Sequence, residues 1–375
     1  MATQWSEIRR DFPVLARCVY LNAAAASPTP RPVRAAVDAF YRRLEEEGDV
    51  PWDEWLAQVE AIRERVARFV GAEADEVTFV PNTSTGINLI VDLLAEDGSV
   101  LAVDPEFPTI TLPWIHRGVD LRFVTPEDGT LPPALFAQER APGAATIAVS
   151  HVQFSNGCRI DPAALGALKA GRNLVVIGSQ STGAFPIDLR RAQIDAFATA
   201  GHKWMCAGYG AGFAVIGRAL LERRPPRAIG WLSVRNPYAF DNRRYQLLPS
   251  ARRSEEGCPP FAAIFALGAA VDYIVSIGVD AIAARVLGLN TYLTERLRQA
   301  GIDVLSPAGV FRSGETLCAL SEPARVAGRL RERGIHVTEK AQGLRIATHF
   351  FNDESDVDAC VDALAQERAK PQQSR

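Results

Sequence analysis

The sequence predicts an α/β fold in which a mostly parallel, seven-stranded sheet is covered by helices, followed by a smaller C-terminal α+β domain. Seven short runs that are apolar throughout alternate with helical or loop stretches across residues 77–217. Strands without polar alternation are typical of a parallel sheet that is buried on both faces. The chain has 375 residues, of which 47% are hydrophobic and 23% charged, which is enough for one large α/β unit and a second domain.

The elements follow from these patterns in chain order. Apolar residues at helical spacing predict helices over 33–44 and 55–70, the first opened by prolines and the second closed by Gly71. The predicted strands of the large domain are 77–81, 99–103, 121–125, 146–150, 173–177, 196–200 and 212–217. For the smaller domain, the predicted helices are 261–277, 282–299 and 322–333, and the predicted strands are 303–305, 315–319, 335–338 and 343–347.

We divide the chain into four parts. Residues 1–20 are expected to pack with the small domain, 21–262 to form the large α/β domain, and 263–365 to form the small domain. The last ten residues, 366–375, are polar and are expected to form a flexible tail.

Composition excludes several classes of function. The net charge is −3 with acidic and basic residues interspersed, so neither a nucleic acid nor a membrane is expected as a partner. The N-terminus lacks a secretory pattern, and the longest apolar run, 261–271, is too short to span a bilayer. The six cysteines are scattered without CxxC spacing, which predicts neither a disulfide framework nor a metal site. We therefore expect a cytoplasmic protein with a small-molecule or protein partner.

A lysine follows the predicted strand 196–200, in the sequence Gly201-His202-Lys203-Trp204. A lysine flanked by glycines and aromatic rings at a strand end is partly desolvated, which lowers the pKa of its amine and makes it a nucleophile for carbonyl groups. The alternative is a solvated lysine in an ordinary turn, and the local pattern alone does not separate the two.

Two further segments carry candidate binding groups. Asn82-Thr83-Ser84-Thr85-Gly86 opens a helix after a strand and offers backbone N–H groups and hydroxyls to an anion, although such a cluster also serves simply to cap its helix. Arg345 lies on a short predicted strand, where its guanidinium suits a carboxylate or a structural ion pair.

The stretch NLVVIGSQSTG, residues 173–183, ends a predicted buried strand in small polar residues. Ligands of open α/β sheets bind at such strand ends. This strand end carries no charge, which is unusual for a site that handles a polar ligand.

Taken in order, these segments resemble a known family. The motifs are YLNAAAA, NTSTGINL, SHVQFSNGCRID, GSQSTGAFPIDL, IDAFATAGHKW, GWLSV, ARRSEEGCPPF and LRIATHFFN, and they run from about residue 18 to 364. They resemble the fold type I enzymes that depend on pyridoxal 5'-phosphate (PLP), in the class V aminotransferase group. That group includes cysteine desulfurases, isopenicillin N epimerase and kynureninase.

The resemblance implies a role for each matching residue. Lys203 is expected to bind PLP as a Schiff base and to act as the general base. The expected contacts to the cofactor are Thr83, Ser84 and His202 at the phosphate, Phe107 stacked on the ring, and Gln180 at the phenolic oxygen. Arg345 is expected to bind the carboxylate of an amino-acid-like substrate, with Asn22 nearby. The family is typically a homodimer, and the loop 255–260, which contains Cys258, is expected to reach the partner's phosphate.

The sequence departs from the family pattern at several positions. Ile177 replaces the aspartate that pairs with the pyridine nitrogen, and an alkyl group cannot keep that nitrogen protonated. Ala200 and Cys258 replace a serine and a threonine that bind the phosphate. No cysteine precedes Arg345 in the segment HVTEKAQG, and Cys318 lies in an apolar run, so a desulfurase that works through a persulfide is disfavoured.

Three functions remain open from the sequence. The leading hypothesis is a PLP-dependent transferase, lyase or isomerase that acts at the α- or β-carbon, more similar to an epimerase or a carbon–sulfur lyase than to a desulfurase. The second is the same fold with altered or lost use of PLP because of Ile177. The third is a non-catalytic binding protein, which the retention of Lys203, His202, Gln180 and Arg345 disfavours.

Overall fold

The protein consists of one large sheet covered by helices and a smaller antiparallel sheet with helices of its own. The computed structural model describes residues 5–138 and 144–369. Its helices are α1 (Trp5–Arg10), α2 (Arg31–Glu47), α3 (Trp52–Val70), α4 (Thr83–Leu94), α5 (Pro108–His116), α6 (Pro133–Gln138), α7 (Pro162–Leu168), α8 (Arg218–Leu221), α9 (Phe261–Ile277), α10 (Val279–Gln299), α11 (Pro323–Glu332) and α12 (Glu354–Ala369). Its strands are β1 (Val19–Tyr20), β2 (Val77–Val80), β3 (Ser99–Val103), β4 (Leu121–Val124), β5 (Ala144–Ser150), β6 (Asn173–Ile177), β7 (Ala196–Ala200), β8 (Gly212–Ile216), β9 (Glu315–Ala319), β10 (Ile335–His336), β11 (Thr338–Lys340) and β12 (Gly343–Ala347).

The large sheet has seven strands in the order β2-β8-β7-β6-β5-β3-β4. Strand β8 is antiparallel to both of its neighbours, and the remaining strand pairs are parallel. Every residue of β2, β3, β7 and β8 is buried, as the lack of polar alternation predicted. The expected fold class, a mostly parallel seven-stranded sheet covered by helices, is confirmed.

Helices cover both faces of this sheet. On one face, α9 packs against α2 and α3, while α4 and α5 lie on the other face. Helix α4 approaches the sheet closely because Gly86 faces it: a Cβ at this position would lie 3.0 Å from the Cβ of Ala198. This close packing fixes the first turn of α4 above the ends of the neighbouring strands.

The smaller sheet has three antiparallel strands in the order β11-β12-β9. The N-terminal segment is tied to this part of the protein. Strand β1 pairs with β10, Arg9 bonds Asp356 at 2.7 Å, and the ring of Phe12 lies 4.7 Å from that of Phe351. The domain boundaries themselves stay a prediction.

Three predicted elements differ in the structure. The predicted strand 335–338 is divided into β10, which pairs with β1, and β11, which pairs with β12. The predicted strand 303–305 is reduced to a single bridge between Val304 and Cys318. Helix α12 continues to Ala369, into the segment predicted as a flexible tail, because Arg368 donates hydrogen bonds to the carbonyls of Ala300 and Gly301. The remainder of the predicted tail, 370–375, lies outside the described residues.

No single helix within residues 5–138 and 144–369 is long and apolar enough to cross a membrane. The consecutive helices α9 and α10 are long and apolar enough only when they are taken as a pair, and the pair is bent by 78°. Helix α9 buries its apolar residues between α2, α3 and the sheet, as a core helix does.

Adjacent residues of α9 allow a matched test of this packing. We expect Ile274→Ala to lower the free energy of unfolding by about 2–5 kcal/mol, because the side chain is fully packed and its loss leaves a cavity. Val275→Ala should change it by less than about 0.5 kcal/mol, because Val275 is 59% exposed. Urea denaturation of both variants measures the difference, and equal losses would contradict the packing described for α9.

Candidate active site at the carboxyl edge of the sheet

The candidate residues gather at one edge of the large sheet. Strands β2, β3, β6 and β7 run in the same direction, so the loops that follow them emerge side by side. These loops carry Thr83 and Ser84, Phe107, Gln180, and His202 with Lys203. The carboxyl edge of a parallel sheet is the usual location of a ligand site in this fold class.

The helix start after β2 is capped by its own side chain. Asn82 accepts a hydrogen bond from the backbone N–H of Thr85 at 3.0 Å, which completes the cap. The hydroxyl of Thr83 lies 2.6 Å from that of Ser179, and the hydroxyl of Ser84 lies 3.0 Å from that of Thr109. The first turn of α4 therefore combines hydroxyls with N–H groups that have no acceptor within the helix, the combination that binds anions.

Lys203 lies at the centre of the site. Burial lowers the pKa of its amine to about 8, and the nearby cations Arg345 and Lys340 act in the same direction, while Glu315 opposes them. Its Nζ lies 5.7 Å from the ring centroid of Phe107. The amine is thus partly neutral near physiological pH, in agreement with the desolvated nucleophile that the sequence predicted.

The neighbours of Lys203 are held by rings and by one amide. The imidazole of His202 stacks on Tyr209 at 4.7 Å, and burial lowers the His202 pKa. The buried indole of Trp204 donates to the Gln180 side-chain carbonyl at 2.8 Å, and the Gln180 amide donates to the Ala24 carbonyl at 3.0 Å. These bonds fix the orientation of the Gln180 amide and leave its second N–H hydrogen for another acceptor.

Ile177 ends β6 inside an apolar cluster. Its side chain is 2% exposed and belongs to the same cluster as Ile87, Ile110 and Ala198. A charged group at this position would have to be buried among alkyl groups. The uncharged side chain at this strand end is therefore surrounded by apolar neighbours.

Arg345 lies on β12 and is already paired with an acid that we did not single out from the sequence. Its Nη1 lies 3.3 Å from a carboxylate oxygen of Glu315, and its Nη2 donates to the Thr338 hydroxyl at 3.5 Å. The Thr338 hydroxyl also bonds the side chain of Asn22 at 2.5 Å, so Asn22 and Arg345 belong to one polar network. Burial raises the pKa of Glu315, and its second oxygen has no hydrogen-bond partner among the described residues.

Lys340 is a second charged residue near the site that the sequence did not predict. Lys340 on β11 places its Nζ 4.6 Å from the ring centroid of Phe154, and that ring lies 5.3 Å from Phe107. Its pKa is lowered by burial and by Arg345. The sequence signal for Glu315 is a single acid that begins an apolar strand, whereas Lys340 stands in a polar segment and gives no signal of its own.

Cys258 lies apart from Lys203, in an exposed loop. The loop is anchored by the neighbouring Glu255, which bonds the buried Arg63 at 2.6 Å. Cys258 lines a cavity of about 520 Å³, whose wall also includes Thr85 and Asn88 of α4. The loop therefore lies beside the first turns of α4.

The remaining thiols and metal-binding side chains offer no competing centre. Cys318 is buried, donates to the Leu344 carbonyl at 3.5 Å, and has its pKa raised to about 11 by burial. No group of three His, Cys, Asp or Glu side chains suited to a metal occurs within the parts of the chain that the structure describes.

Comparison with known proteins identifies the family. The model of the aminotransferase class-V family matches residues 19–359, and the chain belongs to this family. The resemblance found in the motifs is therefore confirmed. Members of this family are PLP-dependent enzymes, as the resemblance implied.

Individual relatives cover almost the whole chain. It is 25% identical over 364 residues to an uncharacterized aminotransferase, YcbU, of Bacillus subtilis, covering 96% of this chain and 97% of the relative. It is 29% identical over 393 residues to isopenicillin N epimerase of Streptomyces clavuligerus, covering 96% of this chain and 97% of the epimerase. The fold matches the apo structure of a cysteine desulfurase from Thermococcus onnurineus with a TM-score of 0.89 and 24% identity, covering 96% of this chain and 97% of that one.

The lowered pKa of Lys203 predicts a pH profile for its reaction with formaldehyde and a borohydride. Because only the neutral amine reacts, the labelling rate of apo-protein should rise about tenfold per pH unit below pH 8 and level off above it. Peptide mass spectrometry of the Lys203 peptide measures the rate, with free acetyl-lysine in the same solution as the reference. A midpoint near 10.5, the value of an unperturbed lysine, would contradict the burial described here.

Proposed function

We propose that the protein is a PLP-dependent enzyme that acts at the α- or β-carbon of an amino-acid-like substrate, with Lys203 as the residue that binds the cofactor covalently. One observation carries this proposal. A buried amine with a pKa of about 8 lies at the carboxyl edge of the sheet, next to an aromatic ring and within the field of a carboxylate-binding arginine. A solvated turn lysine would not have its pKa lowered in this way.

The side chains around Lys203 fit the cofactor by their chemistry. The hydroxyls of Thr83 and Ser84 at the N-terminus of α4 suit its phosphate, and His202 lies next to Lys203 in the chain. The ring of Phe107 is 45% exposed and offers a face for stacking. Gln180 keeps one N–H hydrogen for the phenolic oxygen.

When bound, PLP supplies an electron sink for a carbanion at the substrate. The chain supplies the remaining functions. Lys203, neutral in part at physiological pH, accepts and returns a proton at the α-carbon, while Arg345 binds the substrate carboxylate and so fixes which bond faces the lysine. Asn22 orients Arg345 through Thr338.

Ile177 shapes the type of reaction. An alkyl group offers no acceptor to the pyridine nitrogen and excludes water from it, which disfavours the protonated ring and weakens the electron sink. A weaker sink favours proton transfer or elimination over full transamination. We therefore place the activity with an isomerase or a carbon–sulfur lyase, in keeping with the similarity to isopenicillin N epimerase. Altered cofactor use and a non-catalytic role are not favoured.

We further propose a homodimer in which the loop around Cys258 faces the partner's site. Support comes from the position of this loop beside the first turns of α4, along a cavity of about 520 Å³. All six cysteines are unpaired, which is consistent with a reducing compartment such as the cytoplasm.

A visible absorption spectrum tests the role of Lys203. We expect added PLP to give a saturable band that is lost in Lys203→Ala and retained in Lys169→Met. Lys169 is a suitable control because it is a partly buried lysine at the C-terminal end of α7, where it pairs with Asp195 at 2.7 Å and takes no part in the candidate site. If wild-type protein showed no saturable band, or if the band survived in Lys203→Ala, the proposal would be wrong.

The role of Ile177 is tested by Ile177→Asp, with Ile177→Asn as the control. The aspartate should raise the protonated fraction of the bound cofactor and shift the pH dependence of its absorption, because it adds a negative charge next to the ring nitrogen. Asparagine has nearly the same size and shape and is also polar, but it lacks the negative charge, whose burial costs more than that of a neutral amide. Identical spectra for the two variants across pH 6–9 would mean that Ile177 does not face the nitrogen.

A further inference from the structure

We propose that Glu315 is the resident counter-ion of Arg345, and that a carboxylate binds Arg345 only together with the uptake of one proton by Glu315. This inference rests on the proposed function in one respect, namely that Arg345 is the carboxylate site. It assigns Glu315 as a positioning residue that couples substrate binding to pH.

The geometry places Glu315 where a substrate carboxylate would compete with it. Glu315 is 1% exposed and Arg345 is 7% exposed, so neither charge is offset by water. One carboxylate oxygen of Glu315 bonds Nη1 of Arg345 at 3.3 Å. The other oxygen and the Nε of Arg345 are both buried without a hydrogen-bond partner among the described residues. Each residue of this pair therefore has one buried polar atom that is available for a further hydrogen bond.

The charges that face Glu315 come from three elements. Arg345 lies on β12, Lys203 follows β7, and Lys340 lies on β11, and each of these cations favours the charged carboxylate. Burial acts in the opposite direction and is the larger effect, so the pKa of Glu315 is raised. Glu315 is therefore a buried acid that lies against three cations and whose burial favours the uptake of a proton.

A second carboxylate at Arg345 changes this balance. Two carboxylates that share one guanidinium repel each other, and such a pair relieves the repulsion by holding a proton. Glu315 is the partner that takes up this proton, because its burial already disfavours the charge. Proton uptake turns Glu315 from a competitor into a neutral neighbour, and its O–H can then donate a hydrogen bond to the bound carboxylate.

The linkage fixes the direction of the pH dependence. Binding that takes up a proton weakens as the pH rises. The Kd rises by up to tenfold per pH unit over the range in which Glu315 is charged before propionate binds and protonated afterwards. Removal of the titrating group abolishes that part of the slope. Glu315 also raises the pKa of Lys203 and of Lys340, so the slope of the variant is read together with the number of protons that the wild-type protein takes up.

Isothermal titration of the PLP-loaded protein with propionate tests the proposal, because propionate has the carboxylate but no amine to react. Between pH 6 and 8 the Kd of both proteins is compared at each pH. The ratio of the wild-type Kd to the Glu315→Gln Kd should rise five- to tenfold per pH unit. Titrations in buffers of different ionisation enthalpy should give about one proton more taken up by the wild-type protein than by the variant. The wild-type proton count needs no variant, and a count of zero would overturn the proposal.

Two matched variants separate this inference from the proposed function. Glu367→Gln changes another buried glutamate that pairs with an arginine, Arg325 at 3.6 Å, far from the site, and it should keep the wild-type slope. Arg345→Met should weaken propionate binding more than tenfold. If propionate still bound this variant normally, the carboxylate role of Arg345 in the proposed function would fail. Equal slopes in wild type and Glu315→Gln, with binding lost in Arg345→Met, would overturn only the role of Glu315.

Discussion

The shared direction of four strands is the constraint on which the site depends. Because β2, β3, β6 and β7 all end at one edge, short loops bring together residues that are more than one hundred positions apart in the chain. The close packing of Gly86 against Ala198 then holds the start of α4 above these strand ends. The rest of the chain covers this edge, and the small sheet supplies Arg345, which none of these loops carries.

Burial converts this arrangement from a set of polar groups into a reactive one. The same desolvation that lowers the pKa of Lys203 raises the pKa of Glu315, and the two shifts influence each other through charge. A buried cation needs a counter-ion, and Glu315 provides one for Arg345. In such a cluster, any bound anion redistributes protons among its members, so binding and protonation are linked by the architecture of the site.

Ile177 shows that the departure from the family pattern is built into the packing. The residue lies in a cluster of aliphatic side chains rather than in a polar pocket that has lost one member. The buried face of α4 and strand β7 both contribute to that cluster, so an alkyl side chain at this position matches its neighbours. This supports a weaker electron sink as a property of the proposed enzyme, not as a defect in it.

The central strands of the large sheet could be predicted closely because they are buried on both faces and therefore apolar, as in 99–103, 173–177 and 196–200. The helical tail was missed because its stability comes from Arg368 reaching the carbonyls of Ala300 and Gly301, which are distant in sequence. In the candidate site, Lys203 and Gln180 could be named because they stand in recognisable motifs at strand ends. Cys258 could be named for the same reason, but its place next to α4 depends on how the loop folds back.

The sequence by itself determined the class of fold, the family, and the candidate amine Lys203, because hydrophobic periodicity and local motifs are properties of short segments. The tertiary structure alone decided the pairing of Glu315 with Arg345 and the position of Lys340 beside Phe154. The first contact joins two strands, the second joins a strand to a loop that is distant in the sequence, and the energies of both depend on burial and distance. Neither quantity can be read from the order of residues.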